Sequence, residues 1–361
     1  MSKLSVSSYN TYTECPKKFE NQFIKGIRPI TQPSALIFGS AVDKGLNSLL
    51  LGEDNPFEAC QKELRRCLTE QTEFLPSDYD GELLDEKTKM DLLKKCRELG
   101  YKGENIDSLV STLLSKPFKE LSENQRKALA LCCFESLKEK AKLMLEAYET
   151  KVLPLIDRVE GVQQKIEWED SEGNKFVGVL DLPADVKGFG PLIADNKTAS
   201  NPHRDYGPEC VKHSFQLAVY AGATGKTRGG YFVLDKNIKK NRVKTCARCG
   251  HTSTGRHKTC DAELPPESLH NPEPYYVRCN GEWIETIRPE VSVIIRIDDI
   301  PMEEIQIAQS AMSDVARAVK SGNFPKNLKQ CRVMYGTKEV RCPYYEYCRN
   351  GSMEGLKKTK T

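Results

Sequence analysis

Residues 178–200 read GVLDLPADVKGFGPLIADNKTAS, and they place Asp181, Asp195, Asn196 and Lys197 at the ends of two strand-like runs. Side chains alternate faces along a strand, so Asp195 and Lys197 point one way and Asn196 the other. If the run carrying Asp181 pairs with the next one, its carboxylate shares a face with Asp195. Two neighbouring carboxylates repel unless a cation joins them, and oxygen donors suit Mg²⁺ or Mn²⁺. Such an ion lowers the pKa of a bound water and stabilises charge on a phosphate in flight, while Lys197 positions or helps deprotonate that water. Spacing alone fits ordinary turn and salt-bridge residues at strand ends equally well.

Outward from this stretch, VEGVQQKIEWED (159–170), a turn at 171–174, KFVGVLDLPADV (175–186) and PLIADNKTAS (191–200) predict a β-meander. HSFQLAVYAGATG (213–225) predicts a helix and GGYFVLD (229–235) a strand, the alternation of an α/β core with a central mixed sheet flanked by helices. Residues 51–150 repeat apolar positions at three and four and predict helices, with Cys60, Cys67, Cys96, Cys132 and Cys133 on the buried stripes. Near the start, a serine of SVSSYNTYTECP (5–16) caps a short helix running into Tyr12, and a second helix follows the glycine of FGSAVDKGLNSLL (38–50). A basic run, four cysteines and several prolines mark 236–285 as an insertion. ETIRPEVSVIIRI (285–297) then predicts one strand, and 301–322 an amphipathic helix ending at Gly322. The expected divisions are an N-terminal part of the core (1–50), a helical region (51–150), a catalytic core (151–235), the insertion (236–285) and a C-terminal strand, helix and cysteine-bearing tail (286–361).

The 361 residues are 39% hydrophobic and 29% charged, a soluble balance, and no window approaches the roughly 18 apolar residues of a membrane span. The N-terminus does not read as a secretory signal, so a cytoplasmic location is expected. A net charge of +3 gives no case for a nucleic-acid partner, which local charge must carry. Fourteen cysteines in a reducing compartment point to metal rather than to disulfides. Cys246, Cys249, Cys260 and Cys279 have the spacing of a zinc ribbon, with His251 and His257 as substitutes for one ligand. Lys236, Lys239, Lys240, Arg242, Lys244 and Arg248 crowd the preceding stretch, where Lys239, Lys240, Arg242 and Lys244 are candidates for contact with a DNA backbone, a solvated charged surface being the alternative. No GxxxxGK[ST] stretch is present, so any helicase function belongs to a partner.

The order GVLD, ADNKT and QLAVY (216–220) resembles the GxxD, (D/E)xK and QxxxY signatures of RecB-like PD-(D/E)XK nucleases, and LSVSSYNTYTECPKKF (4–19) resembles their serine-rich opening and Cys-Pro pair. The resemblance implies a restriction-endonuclease-like fold. It implies that Asp181 and Asp195, with the backbone carbonyl of Asn196, hold the catalytic Mg²⁺ or Mn²⁺. Lys197 would act on the attacking water, and Gln216 with Tyr220 would contact DNA or steady the site. Where the family has a metal-ligating histidine this chain has Asp43, a residue that can ligate the same ions through oxygen. Glu160 is the other carboxylate within reach and is read as structural. One branch of the family, which includes CRISPR-associated and AddB-type exonuclease-like proteins, carries an iron–sulfur cluster on one N-terminal and three C-terminal cysteines. Cys15, Cys331, Cys342 and Cys348 match it, for [4Fe–4S] or Zn²⁺, although ten residues separate Cys331 from Cys342 where the family has a close pair. The implied function is metal-dependent DNA exonuclease action in recombination, repair or replication of bacterial or phage DNA, beside a recombination or annealing protein or a helicase. The alternatives are a catalytically inactive nucleic-acid-binding module and a cluster that senses redox state.

Overall fold

Leu192, Ile193, Ala194 and Asp195 are consecutive and all buried, which requires cover on both faces of the strand that carries them. In the computed structural model, which describes residues 3–69, 71–253, 259–260, 262–264, 277–335 and 338–359, that strand is the middle of a five-stranded mixed sheet. Its chain neighbours are β1 (Ile156–Val159), the hairpin β2 (Gln164–Glu169) and β3 (Lys175–Leu180), and β4 (Leu182–Val186). The buried strand is β5 (Gly190–Ala199), followed by β6 (Arg228–Asp235) and β7 (Val293–Asp299). The order across the sheet is β7-β6-β5-β4-β1, with β5 and β6 parallel and the other pairs antiparallel.

The chain forms two units, Met1–Lys236 with Val293–Thr361, and Asn237–Ser292. In the first, the helices that bear on the site are α1 (Val6–Glu14), α2 (Ser34–Leu50), α3 (Glu123–Lys151), α4 (Phe215–Thr224) and α5 (Met302–Lys320). Ser5 caps α1 through a reciprocal pair with Ser8, a device worth about 1 kcal/mol. The helix α2 starts five residues before Gly39 rather than after it, because Pro33 sets an extended entry and Ala35, Leu36 and Ile37 favour helix strongly enough to carry one internal glycine. The helical region 51–150, which includes most of α3, buries Cys60, Cys67, Cys96, Cys132 and Cys133, as their apolar stripes predicted. Among the described residues, no helix is long and apolar enough to cross a membrane.

Two predicted strands are each broken in two. KFVGVLDLPADV divides at Asp181: Leu180 pairs with Gln164 in the hairpin, whereas Leu182 pairs with Ala194 in the central sheet. ETIRPEVSVIIRI divides at 291–292, its first part pairing inside the insertion and its second with β6. Both breaks are changes of pairing partner, which a uniform apolar run does not reveal.

The two ends of the chain are joined by strand pairing and hydrogen bonds. Ile27–Pro29 pairs antiparallel with Leu356–Lys358, Asn327 Nδ2 donates to the Glu14 carbonyl at 2.7 Å, and the Tyr344 hydroxyl donates to the Ile27 carbonyl at 3.0 Å.

The helix α4 is locked to β3 at one point. The Tyr220 ring packs on the backbone of β3, where a Cβ placed on Gly178 would come 2.7 Å from Tyr220 Cε1. The glycine is therefore what lets the ring lie against β3, three residues before Asp181. Gly178→Ala is expected to cost about 1–3 kcal/mol of stability, the usual penalty for overpacking a closed contact. Thermal or denaturant unfolding of the variant checks this.

Candidate active site and cysteine centres

The break at Asp181 puts its carboxylate where β3 passes into β4, next to Asp195 on β5. Asp195 is 2% exposed. Gln216 Nε2, on the first turn of α4, donates to its Oδ1 at 3.0 Å, and Lys197 Nζ stands 2.5 Å from its Oδ2. Asp195 and Lys197 thus share a face, as strand alternation requires, and Asn196 turns away to accept from the Tyr148 hydroxyl of α3 at 3.0 Å. Gln216 is held in place by the start of its own helix. Ser214 caps α4 and shares a 2.5 Å hydrogen bond with the hydroxyl of Tyr231, which pairs with Asp195 across the β5–β6 ladder.

Asp181 lies within hydrogen-bonding reach of Asp195. Burial first, and then the Asp195 carboxylate, push the Asp181 acid up to about 8. Burial also raises Asp43, which reaches the cluster from α2; the Asn47 amide, donating to its Oδ2 at 3.0 Å, only partly offsets this. Lys197 shows the opposite balance. Burial alone would lower its pKa, but Asp195 and Asp181 more than offset that and hold the ammonium proton tightly. Glu160 is not in the cluster and pairs with Lys226 and Arg158.

Gln163 is a member of the site that sequence reasoning missed. Its Nε2 donates to Asp181 Oδ1 at 3.1 Å and to Asp43 Oδ1 at 3.3 Å, and its backbone N–H donates to the Asp181 carbonyl at 3.0 Å. It has φ +51°, a left-handed conformation uncommon for a residue other than glycine, asparagine or aspartate. The only cue in the sequence was its position just before a hairpin whose first strand begins opposite Leu180.

The donor set suits a hard divalent cation. Three carboxylates converge, two of them are pushed toward the neutral acid by burial and mutual repulsion, and among the described residues Asp195 Oδ2 accepts no hydrogen bond of ordinary geometry beyond the facing ammonium. A cleft of about 430 Å³ opens beside them between α2 and β5, reached by Asp43, Lys197 and Thr198.

In the second unit, Cys246, Cys249, Cys260 and Cys279 place their four sulfurs within 4.8 Å of one another, a compact set for one tetrahedral ion. Gly281 makes the packing possible, since a Cβ there would meet Cys246 Sγ at 2.5 Å. Four sulfurs complete the set without His251, and His257 lies outside the described residues. Lys239–Cys246 pairs antiparallel with Trp283–Glu290, so alternation puts Lys240, Arg242 and Lys244 on the face of Cys246 and Lys239 on the other. Lys244 pairs with Glu285 at 3.4 Å.

At the chain ends, Cys15, Cys331, Cys342 and Cys348 also come together. Burial raises the Cys331 and Cys342 thiols; Cys15 and Cys348 add to this at Cys331, and Cys15 and Cys331 at Cys342. A hairpin of Arg332–Tyr335 with Lys338–Arg341 closes the ten-residue gap, and the Cys342 N–H donates to the Cys331 carbonyl at 3.0 Å. These four do not form as tight a group as the insertion cysteines, whose sulfurs alone meet the 4.8 Å limit among the described residues.

Compared one by one with curated proteins, the chain matches none. Compared with families, it matches the PD-(D/E)XK nuclease superfamily over residues 3–349, a span that contains the carboxylate–lysine cluster and the four cysteines of each centre. Members of that superfamily are generally metal-dependent nucleases, and their restriction-endonuclease-like fold accords with the mixed sheet and flanking helices. The chain belongs to the PD-(D/E)XK nuclease superfamily.

Proposed function

We propose that this protein is a DNA exonuclease of the RecB-like branch, hydrolysing phosphodiester bonds with Mg²⁺ or Mn²⁺ in bacterial or phage recombination, repair or replication, beside an annealing protein or helicase. The observation that carries the reading is the convergence of Asp43, Asp181, Asp195 and Lys197 around two glutamine amides. Asp181, Asp195, Asp43 and the backbone carbonyl of Asn196 would hold the ion. When bound, it supplies an acidified water and charge stabilisation at phosphorus.

The side chains do the rest. Asp195 keeps Lys197 protonated, so its ammonium orients water and phosphate oxygens as a cationic donor. Gln216 fixes Asp195, Gln163 spaces Asp43 from Asp181, and Tyr220 holds β3 so that Asp181 meets them. Water adds to phosphorus, the P–O bond to the leaving sugar breaks, and a proton passes to that oxygen. Exonuclease action is favoured by the absence of a helix-turn-helix signature that would read bases.

At the chain ends we assign [4Fe–4S] to Cys15, Cys331, Cys342 and Cys348, one N-terminal and three C-terminal cysteines in the order the resembling branch uses for its cluster. Zinc is assigned to Cys246, Cys249, Cys260 and Cys279, with Lys239, Lys240, Arg242 and Lys244 on its ribbon as contacts to DNA phosphates.

End-labelled linear DNA incubated with Mg²⁺ or Mn²⁺ should be degraded by the wild type while closed circles survive. Lys197→Ala should lower the rate by about 10²–10³, the cost of losing one preorganised donor. DNA binding without cleavage by either protein would make the chain a binding module instead. Metal analysis of anaerobically purified protein should give about four irons and about one zinc per chain. Cys342→Ser should lose only the iron and Cys249→Ser only the zinc; zinc at both places would overturn the iron assignment.

A further inference from the structure

The cleft between α2 and β5 runs from Asp43 and Lys197 to a second cation, Lys236. Lys236 follows β6, its N–H donates to the Ala199 carbonyl at 2.8 Å, and its side chain lines the same cleft as Lys197 and Thr198. The opposite wall is α2, where Gly39 faces Thr198: a Cβ there would come 3.8 Å from Thr198 Oγ1, an ordinary contact. The volume of about 430 Å³ lies within the ~300–1,000 Å³ of small-ligand sites, enough for part of a nucleotide.

Lys236 is half-buried, and among the described residues no carboxylate comes within ion-pairing distance of it. Its ammonium lies over the Phe38 ring at 5.9 Å. Asp78 influences it electrostatically, but that carboxylate already accepts from Ser34 Oγ and the Leu75 N–H, both at 2.5 Å. Burial lowers the pKa of Lys236, which marks an ammonium whose lost hydration is not repaid within the protein. An anion entering the cleft would repay it.

We propose that Lys236, with Thr198, forms a second phosphate subsite that takes the backbone phosphate next to the scissile one and lays the nucleic-acid strand along the cleft between α2 and β5. The proposal rests on the nuclease reading of the adjoining carboxylates. Its energetic signature is that of a single phosphate contact: weaker binding on every sequence, and a salt dependence reduced by one counterion.

The test is equilibrium binding of a labelled oligonucleotide duplex by fluorescence anisotropy, with Ca²⁺ in place of Mg²⁺ or Mn²⁺ and salt varied from 50 to 200 mM. Lys236→Ala should reduce the slope of log K against log[salt] by about one, so that its loss of affinity over this range is about threefold smaller than that of the wild type. Lys236→Arg should restore the slope. A neutral methylphosphonate next to the cleavage site should weaken the wild type and leave Lys236→Ala unchanged. Equal slopes for wild type and Lys236→Ala, or a wild type indifferent to every methylphosphonate flanking the cleavage site, overturn the subsite; the second readout needs no variant to fold. A wild type that binds DNA but cleaves none when Mg²⁺ is restored overturns the nuclease reading and leaves the subsite comparison valid. One that binds no DNA overturns both.

Discussion

Buried carboxylates held against one another are the constraint from which the rest of the site follows. Asp181 and Asp195 cannot both ionise cheaply in a dry environment, and Asp43 adds a third negative group to the same place. The protein offsets part of that cost with one ammonium and three amides, those of Gln163, Gln216 and Asn47. A divalent cation of the kind the superfamily uses would offset the balance. Groups kept in such tension occur at functional sites because a fold selected for stability alone would replace them with apolar side chains.

The scaffold is arranged to keep this tension in register. The strand β5 is covered on both faces, so Asp195 and Asn196 each meet a helix, α4 through Gln216 and α3 through Tyr148. The helix α4 is capped by Ser214, which is tied to Tyr231 in the strand beside Asp195, and its far turn rests on Gly178. One helix therefore sets both the orientation of Asp195 and the path of the strand leading to Asp181. The joined chain ends act separately: strand pairing and hydrogen bonds bring Cys15 towards the C-terminal cysteines.

Much of this was legible in the sequence because it is local. Alternation along a strand was enough to set Asp195 and Lys197 against Asn196, and four-residue spacing put Gln216 and Tyr220 on one side of α4. The buried helical cysteines followed from their apolar stripes. What escaped was set by pairing at a distance. A run of apolar residues does not show that its partner changes at Asp181, or that 285–297 belongs partly to the insertion. Gln163 escaped for the same reason, since its role depends on a left-handed backbone and on carboxylates 18 and 120 residues away. The gap between Cys331 and Cys342 looked too wide until a hairpin closed it.

The most direct test of the central claim is calorimetric titration of the protein with Mn²⁺ between pH 6 and 9. An acid raised to about 8 must lose its proton before its carboxylate can ligate, so metal binding and proton release are linked. The account predicts affinity that climbs with pH and levels off above about 8, with about one proton released per ion near pH 7, and loss of this linkage in Asp181→Asn. Absence of Mn²⁺ binding, or binding whose affinity and proton release ignore pH in this range, would contradict it.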